Sequence, residues 1–295
     1  MVVVVTKHDG WGNDFLVLDV GQTAPGAGEG GRRRAADAAI DWPTEARRLC
    51  DRATGIGADG LLLMERRGEY EVAMRLYNAD GSAAEMSGNG IRCLAQAHYE
   101  AEGHEGAVSY TVHTTAGPRR VDVERAPHDR DEVVARVDMG RVERIDAPVG
   151  WDAVGADPMR PVAHLSVGNP HAVVGVEDVR VVDLAAIGAK VPHVNLEIVE
   201  PGPEPDAVTM RVHERGAGLT RACGTGAVAS AWAAREWGMV PSSARAVTVH
   251  QPGGDAVVRF ATGSGGGAGA GSGGPVTLEG PARFDSRHHV TLGAS

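Results

Sequence analysis

Apolar residues cluster at positions 2–5 and 15–20 around a polar stretch, Gly10-Trp11-Gly12-Asn13-Asp14, which predicts two strands joined by a functional loop. From Trp42 the spacing becomes helical, with Pro43 near the start and Ala46, Leu49 and Cys50 on one face. That helix is expected to run out at Thr54-Gly55. Strand patterns at 61–64 and 70–77 lead into Asn78-Ala79-Asp80-Gly81, whose residues favour a tight reversal. Residues 227–234 (AVASAWAA) are apolar on nearly every face, and Ile91, Leu94, Ala95 and Ala97 make an earlier stretch similar. Each of these two helices is therefore expected to be enclosed by other elements. Short valine-rich runs separated by Gly, Pro and Asp fill the downstream half and supply the strands to enclose them.

The same pattern occurs twice. Met74-Arg75-Leu76 matches Met210-Arg211-Val212, and the match runs without gaps to Ser87-Gly88-Asn89-Gly90 against Cys223-Gly224-Thr225-Gly226, at a constant offset of 136 residues. A looser match pairs Gly12-Asn13 with Gly168-Asn169. The expected fold is α+β, with two pseudo-symmetric domains, each a strand barrel wrapped around a central buried helix. The expected boundaries are 1–130, with a returning C-terminal strand at 284–295, and 131–283.

Composition narrows the function. A chain of 295 residues with 42% hydrophobic content can fill real cores, and a formal net charge of -10 disfavours nucleic acid or a basic membrane-surface role. A small polar ligand fits better. No stretch approaches a membrane span, and the opening apolar run is too short for a secretory signal, so a cytoplasmic protein without a membrane partner is expected. Three cysteines at wide, irregular spacing read as free thiols in a reducing compartment. Of these, Cys50 and Cys93 are expected to be core residues.

Two compositional features read as surface. Residues 24–34, rich in Gly and Arg, predict a loop. Residues 263–274 (GSGGGAGAGSGG) lack the preceding strand, following helix and lysine of a phosphate loop, and predict a hairpin tip. The histidines form no close pair at ligand spacing, and His288-His289 on a strand would point to opposite faces, so no metal site is expected.

Chemistry concentrates where the two buried helices begin. A helix start leaves backbone N–H groups unpaired and carries partial positive charge, which suits a carboxylate. Gly88 and Gly224 allow close approach, Asn89 and Thr225 add polar side chains, and immediately before each stands a residue with an exchangeable proton: Ser87 in one copy, Cys223 in the other. Inverting a stereocentre by proton transfer needs a base on one face and an acid on the other, so the reaction is expected between Ser87 and Cys223. A thiol, with its reference pKa near 8.5, suits that work.

At these residues the sequence resembles the diaminopimelate epimerases. The matching blocks are Gly10-Trp11-Gly12-Asn13-Asp14-Phe15, Leu49-Cys50-Asp51-Arg52 with Gly55-Ile56-Gly57-Ala58-Asp59-Gly60, Tyr77-Asn78-Ala79-Asp80-Gly81-Ser82, Gly88-Asn89-Gly90-Ile91-Arg92-Cys93, Gly168-Asn169-Pro170-His171, and Glu214-Arg215-Gly216-Ala217-Gly218 leading to Ala222-Cys223-Gly224-Thr225-Gly226. The resemblance implies an isomerase that converts LL-2,6-diaminopimelate to the meso form in lysine and peptidoglycan precursor synthesis. It implies two-base proton transfer at the α-carbon without pyridoxal phosphate or metal, so no cofactor, and a homodimer acting on a small diamino acid. By motif, Asn13, Asn78, Asn169 and Asn195 would hold substrate, with Glu214 and Arg215 at the distal head, and Gly88-Asn89 and Gly224-Thr225 at the reacting carboxylate. His171 and Glu214 would tune the catalytic pair.

One position departs from that family, which has cysteine at both base positions, whereas this chain reads Met86-Ser87-Gly88 at the first. A serine hydroxyl ionises far less readily than a thiol and needs help to act as a base. The alternatives are a related racemase or isomerase of the same fold acting on another amino acid, and a catalytically impaired Ser87 variant that only binds substrate. With one thiol missing, the two base positions cannot form a disulfide with each other.

Overall fold

The computed structural model describes residues 1–22, 40–84, 86–261 and 274–293. The loop expected over 24–34 and, apart from Gly274, the glycine-rich tip expected over 263–274 lie outside the described residues. The chain forms two compact units, Met1–Val137 with Pro281–Ser295, and Asp138–Gly280.

In the first unit β1 (Val2–Gly10) runs antiparallel to β2 (Asn13–Asp19). The connection is tighter than the sequence suggests. Pairing persists to Gly10 opposite Asn13, which leaves only Trp11 and Gly12 to turn the chain, both at positive φ (64° and 76°). A 3-10 turn, Val20–Gln22, takes the last position expected in β2. Helix α1 (Trp42–Cys50) also ends earlier than its periodicity implies. The Asp51 carboxylate accepts the N–H groups of Ala53 and Thr54, so the chain leaves the helix there. It then folds back so closely that a Cβ on Gly55 would lie 2.3 Å from the Arg48 carbonyl oxygen.

Beyond α1, β3 (Gly60–Arg66) runs parallel to β2 and antiparallel to β4 (Glu71–Asn78); β3 is longer than predicted and β4 is shifted by one residue. The Asn78–Gly81 reversal forms as expected, with Gly81 at φ +84° donating its N–H to the Asn78 carbonyl. Short β5 (Ala83–Ala84) precedes α2 (Gly88–Glu102), and β6 (Val108–Thr114), β7 (Gly117–Arg125) and β8 (Glu132–Gly140) complete the run. Strand β17 (Val276–Thr291) pairs with both β1 and β8 and closes a ring of eight strands. Helix α2 is buried from Gly88 to Tyr99.

The second unit repeats the order. After β9 (Glu143–Arg144), β10 (Val162–Ser166) pairs antiparallel with β11 (Pro170–Gly175). Short α3 (Leu184–Gly188) leads to β12 (Asn195–Pro201), which is parallel to β11, and β13 (Ala207–Glu214) is antiparallel to β12. Then follow β14 (Gly218–Thr220), α4 (Gly224–Trp237), β15 (Ala246–Gln251), β16 (Gly254–Phe260) and the first residues of β17. Every parallel and antiparallel junction from β10 to β17 matches the junction nine strands earlier, including the two parallel crossovers β13 with β15 and β4 with β6. Thus the fold is two copies of one unit, each with strands around a buried helix. Among the described residues, no helix is long and apolar enough to cross a membrane.

Candidate active site

Each buried helix begins in the same way. Ser87 (φ -133°, ψ 126°) and Cys223 (φ -135°, ψ 115°) are N-caps in extended conformation. Ser87 Oγ accepts the N–H of Gly90 at 3.0 Å, and Cys223 Sγ that of Gly226 at 3.4 Å. The side chain in front of each helix is thus held by a bond that satisfies an otherwise unpaired donor. Such a bond also favours the deprotonated form. Both helices end in left-handed glycines, Gly103 and Gly238.

Around Cys223 the second unit assembles a hydrogen-bonded set. Sγ lies 3.5 Å from Thr225 Oγ1, which accepts Asn169 Nδ2 at 3.3 Å. Asn169 Oδ1 lies 3.0 Å from His171 Nε2, and His171 Nδ1 lies 2.7 Å from Glu197 Oε1. His171 and Glu197 have no exposed side-chain surface. The backbone N–H of Cys223 donates to Gln251 Oε1 at 2.8 Å. Burial, followed by the carboxylates of Glu214 and Glu197, pushes the thiol well up, while Thr225 and the Gly226 N–H pull it back. Cys223 is therefore a thiol at neutral pH before substrate arrives. Burial likewise raises the Glu197 carboxyl, and His171 opposes the rise.

Asn195 is the parallel neighbour of His171. It donates to the Pro170 carbonyl at 3.2 Å and accepts the Arg215 N–H at 2.9 Å. Glu214 accepts the Thr220 hydroxyl at 2.5 Å, and Arg215 is exposed.

Among the described residues, the first unit has no imidazole in the position that His171 takes beside the second helix start. Strand register puts Phe15 opposite Gly60 as it puts His171 opposite Asn195, and Leu62 beside Leu76 as Glu197 stands beside Val212. Polar groups gather instead around two amides. Arg92 Nη2 donates to Asn89 Oδ1 (3.3 Å), Asn89 Nδ2 to Asn13 Oδ1 (3.0 Å), and Asn13 Nδ2 to Asp59 Oδ2 (2.6 Å). A cation at one end and a carboxylate at the other leave both amides a single orientation. Asp59 is bridged through Arg52 to Asp14, which also pairs with Lys7. Burial would raise the Asp14 carboxyl, but the hydrogen bonds from Arg52 and Lys7 outweigh it and hold it at about 2.

Arg92 is fully buried, its guanidinium 3.6 Å from the centre of the Trp11 ring. Burial lowers it to about 10. Asn78 serves its own turn, donating to Ser82 Oγ at 2.9 Å. Cys50 and Cys93 are buried in apolar surroundings with their thiols pushed up to about 12, as core cysteines are.

Sequence reasoning missed Glu197, Gln251, Asp59 and Arg92 as parts of these networks. The signals were faint: a glutamate inside the apolar run Asn195-Leu196-Glu197-Ile198-Val199, and an arginine inside an otherwise buried helix. Among the described residues, no group of three or more His, Cys, Asp or Glu is arranged to hold a metal ion.

Comparison with known proteins agrees with this architecture. The family pattern of diaminopimelate epimerase matches residues 5–145 and 164–265. A diaminopimelate epimerase of Picosynechococcus is 36% identical over 315 aligned residues, covering 99% of this chain and 100% of the relative. One from Thermosynechococcus vestitus is 37% identical over 278, covering 86% and 90%. Among solved structures, a predicted epimerase from Pseudomonas aeruginosa shares the fold at a TM-score of 0.71 and 16% identity, covering 99% of this chain and 100% of that one. A hydroxyproline epimerase from Agrobacterium vitis with bound trans-4-hydroxy-L-proline does so at 0.67 and 16%, covering 99% and 92%. With the family pattern spanning both units and relatives aligned along nearly the whole length, the chain belongs to the diaminopimelate epimerase family of isomerases.

Proposed function

We propose that this chain interconverts LL- and meso-2,6-diaminopimelate by two-base proton transfer at the α-carbon, with Cys223 and Ser87 at the two acid/base positions. The observation that carries the reading is the setting of Cys223, a buried thiol at a helix start whose sulfur accepts the Gly226 N–H and lies within hydrogen-bond reach of the Thr225 hydroxyl. As an acid, Cys223 delivers its proton to the carbanion. The resulting thiolate is received by the Gly226 N–H and, when its proton is turned toward the sulfur, the Thr225 hydroxyl. Backbone N–H groups at Gly88-Asn89 and Gly224-Thr225 hold the reacting carboxylate, Asn13, Asn78, Asn169 and Asn195 orient the substrate, and Glu214 and Arg215 take its distal head. His171 tunes Cys223 through Asn169 and Thr225, and Glu214 through its charge.

This scheme needs no pyridoxal phosphate or metal, because the proton carriers and the carboxylate seat are protein groups. In keeping with the family resemblance, the protein works in the cytoplasm as a homodimer. Ser87 is the slow side. Its hydroxyl accepts the Gly90 N–H, which stabilises an alkoxide, yet the family's thiol would ionise far more readily.

Deuterium wash-in from D2O, followed separately for the LL and meso isomers, tests the assignment. We expect exchange that is abolished in Cys223→Ala and accelerated in Ser87→Cys. Absence of exchange from both isomers, with no recovery in Ser87→Cys, would overturn it.

A further inference from the structure

The two units differ where their shared plan is otherwise closest. A Cβ on Gly90 would meet Leu62 Cδ2 at 3.4 Å, whereas a Cβ on Gly226 would meet Glu197 Oε1 at 2.7 Å. Beside the second helix the fold has thus placed a carboxylate where the first has a leucine, and an imidazole where the first has Phe15. Burying an acid is expensive unless it is paired, and here only one oxygen is satisfied: Oε2 is buried with no hydrogen-bond partner. Such a cost without structural return points to chemistry.

The hydrogen bonds have a direction. Asn169 donates through Nδ2 to Thr225, so it presents Oδ1 to His171, and Nε2 of the ring must carry a proton. At Nδ1 two states are compatible with the 2.7 Å contact: a carboxylate accepting from an imidazolium, or a carboxylic acid donating to a neutral ring. In both, the pair is neutral overall, holds one shared proton, and keeps Nε2–H as the donor. With the Thr225 oxygen already accepting from Asn169, its own proton is free to turn toward Cys223 Sγ.

We infer that Glu197 is a positioning residue for proton transfer at Cys223: its carboxyl fixes the proton on His171 Nε2 and so aims a chain of donors, His171 to Asn169 to Thr225, at the sulfur. The inference rests on the reading of Cys223 as an acid/base. In the carboxylic-acid state, when Sγ loses its proton to the carbanion, the shared proton passes from Glu197 Oε1 to His171 Nδ1. One O–H bond breaks and one N–H bond forms, with no net proton uptake, and positive charge moves onto the ring that heads the chain. The charged or titratable groups around Glu197 are His171 on β11, Glu214 at the end of β13, and Cys223 before α4.

An amide at position 197 cannot enforce this direction. It can offer Nδ1 either its oxygen or its NH2, and with the oxygen the neutral ring bears its proton on Nδ1. Asn169 then turns over and draws the Thr225 proton away from the sulfur. The test is the Cys223 thiolate absorbance near 240 nm as a function of pH, on the full chain without substrate. Cys50→Ala and Cys93→Ala, made in every protein compared, leave Cys223 as the titrating thiol. Three proteins are compared: the parent, Glu197→Gln, and His171→Phe/Glu197→Leu, which installs the Phe15 and Leu62 packing the first unit already uses.

We expect both variants to titrate Cys223 roughly one pH unit higher than the parent, the value of one modest charge-assisted hydrogen bond. If Glu197 acted only as a nearby negative charge, its removal would shift the titration downward. A downward shift, or none, in the folded variants overturns the inference. Because no substrate is present, this result is independent of isotope exchange, and exchange lost in the parent would count against the acid/base reading instead.

Discussion

Replacing Gly90 and Gly226 by alanine, one at a time, places the same substitution at equivalent points of the two units. Both positions lie early in a helix and neither has a positive φ, so alanine is conformationally allowed and helix propensity alone favours it by up to about 1 kcal/mol. At Gly90 the new methyl would meet Ser87 Cβ at 3.2 Å and Leu62 Cδ2 at 3.4 Å, contacts that a side-chain shift of a few tenths of an ångström relieves. There the two effects should nearly cancel. At Gly226 the methyl would lie 2.7 Å from Glu197 Oε1, and that oxygen is tied to His171 at 2.7 Å inside a fully buried pair.

The carboxylate at Gly226 can yield only by stretching a charge-assisted hydrogen bond, so overpacking of roughly 1–3 kcal/mol outweighs the helix gain. The difference between the variants should be about 1 kcal/mol, or about 2–4 °C in the midpoint of a unit of this size. Scanning calorimetry of each variant beside the parent measures this. A Gly226→Ala protein as stable as Gly90→Ala would refute the argument that the His171–Glu197 pair is rigidly packed against α4.

Three further outcomes follow from the same structure. Asp59→Asn gives the Asn13 and Asn89 amides a second allowed orientation, so substrate KM should rise by about tenfold with kcat changed less, the loss of one charge-assisted hydrogen bond; steady-state kinetics measure it. Arg92→Lys keeps the charge but gives up the planar contact with Trp11 and the fork to Gly88 and Asn89, and should cost about 1–3 kcal/mol in denaturant unfolding. His250 lies between Glu204 and Asp255; burial opposes its charge, but the two carboxylates outweigh that and raise its pKa. The stability it contributes is fully present below its unfolded value near 6.5 and is lost as pH climbs through the higher folded value. His250→Ala should flatten the unfolding profile between the unfolded value near 6.5 and the raised folded value, and an unchanged slope there would count against the contact.

The sequence alone determined the duplication. Runs such as Met74-Arg75-Leu76 and Met210-Arg211-Val212, ending in Ser87 and Cys223 before Gly-X-Gly, carry their offset in plain order, and the nearly all-round apolar surface of 227–234, with Ile91, Leu94, Ala95 and Ala97 in the first copy, requires surrounding strands. Local patterns also marked both helix starts, since capping and backbone donors depend on neighbours only a few residues away. Element ends were less legible. Only ladder partners show that pairing continues to Gly10 and Asn13, and only the Asp51 carboxylate's bonds to Ala53 and Thr54 show why α1 stops at Cys50.

What surrounds the two helix starts was decided by tertiary structure. Glu197 sits in a run that reads as alternating, Asn195, Glu197 and Val199 on one face and Leu196 and Ile198 on the other, which in a half-exposed strand would send the glutamate to solvent. Strand β12 is buried on both faces instead. Leu196 and Ile198 join an apolar cluster with Leu184 and Val191, and Glu197 is left facing His171 and α4. The same holds for Asn13 and Asp59, 46 residues apart, and Arg92 over Trp11. Such contacts depend on strand register and helix seating, and a one-residue slip would dissolve them while leaving every local pattern in the sequence unchanged.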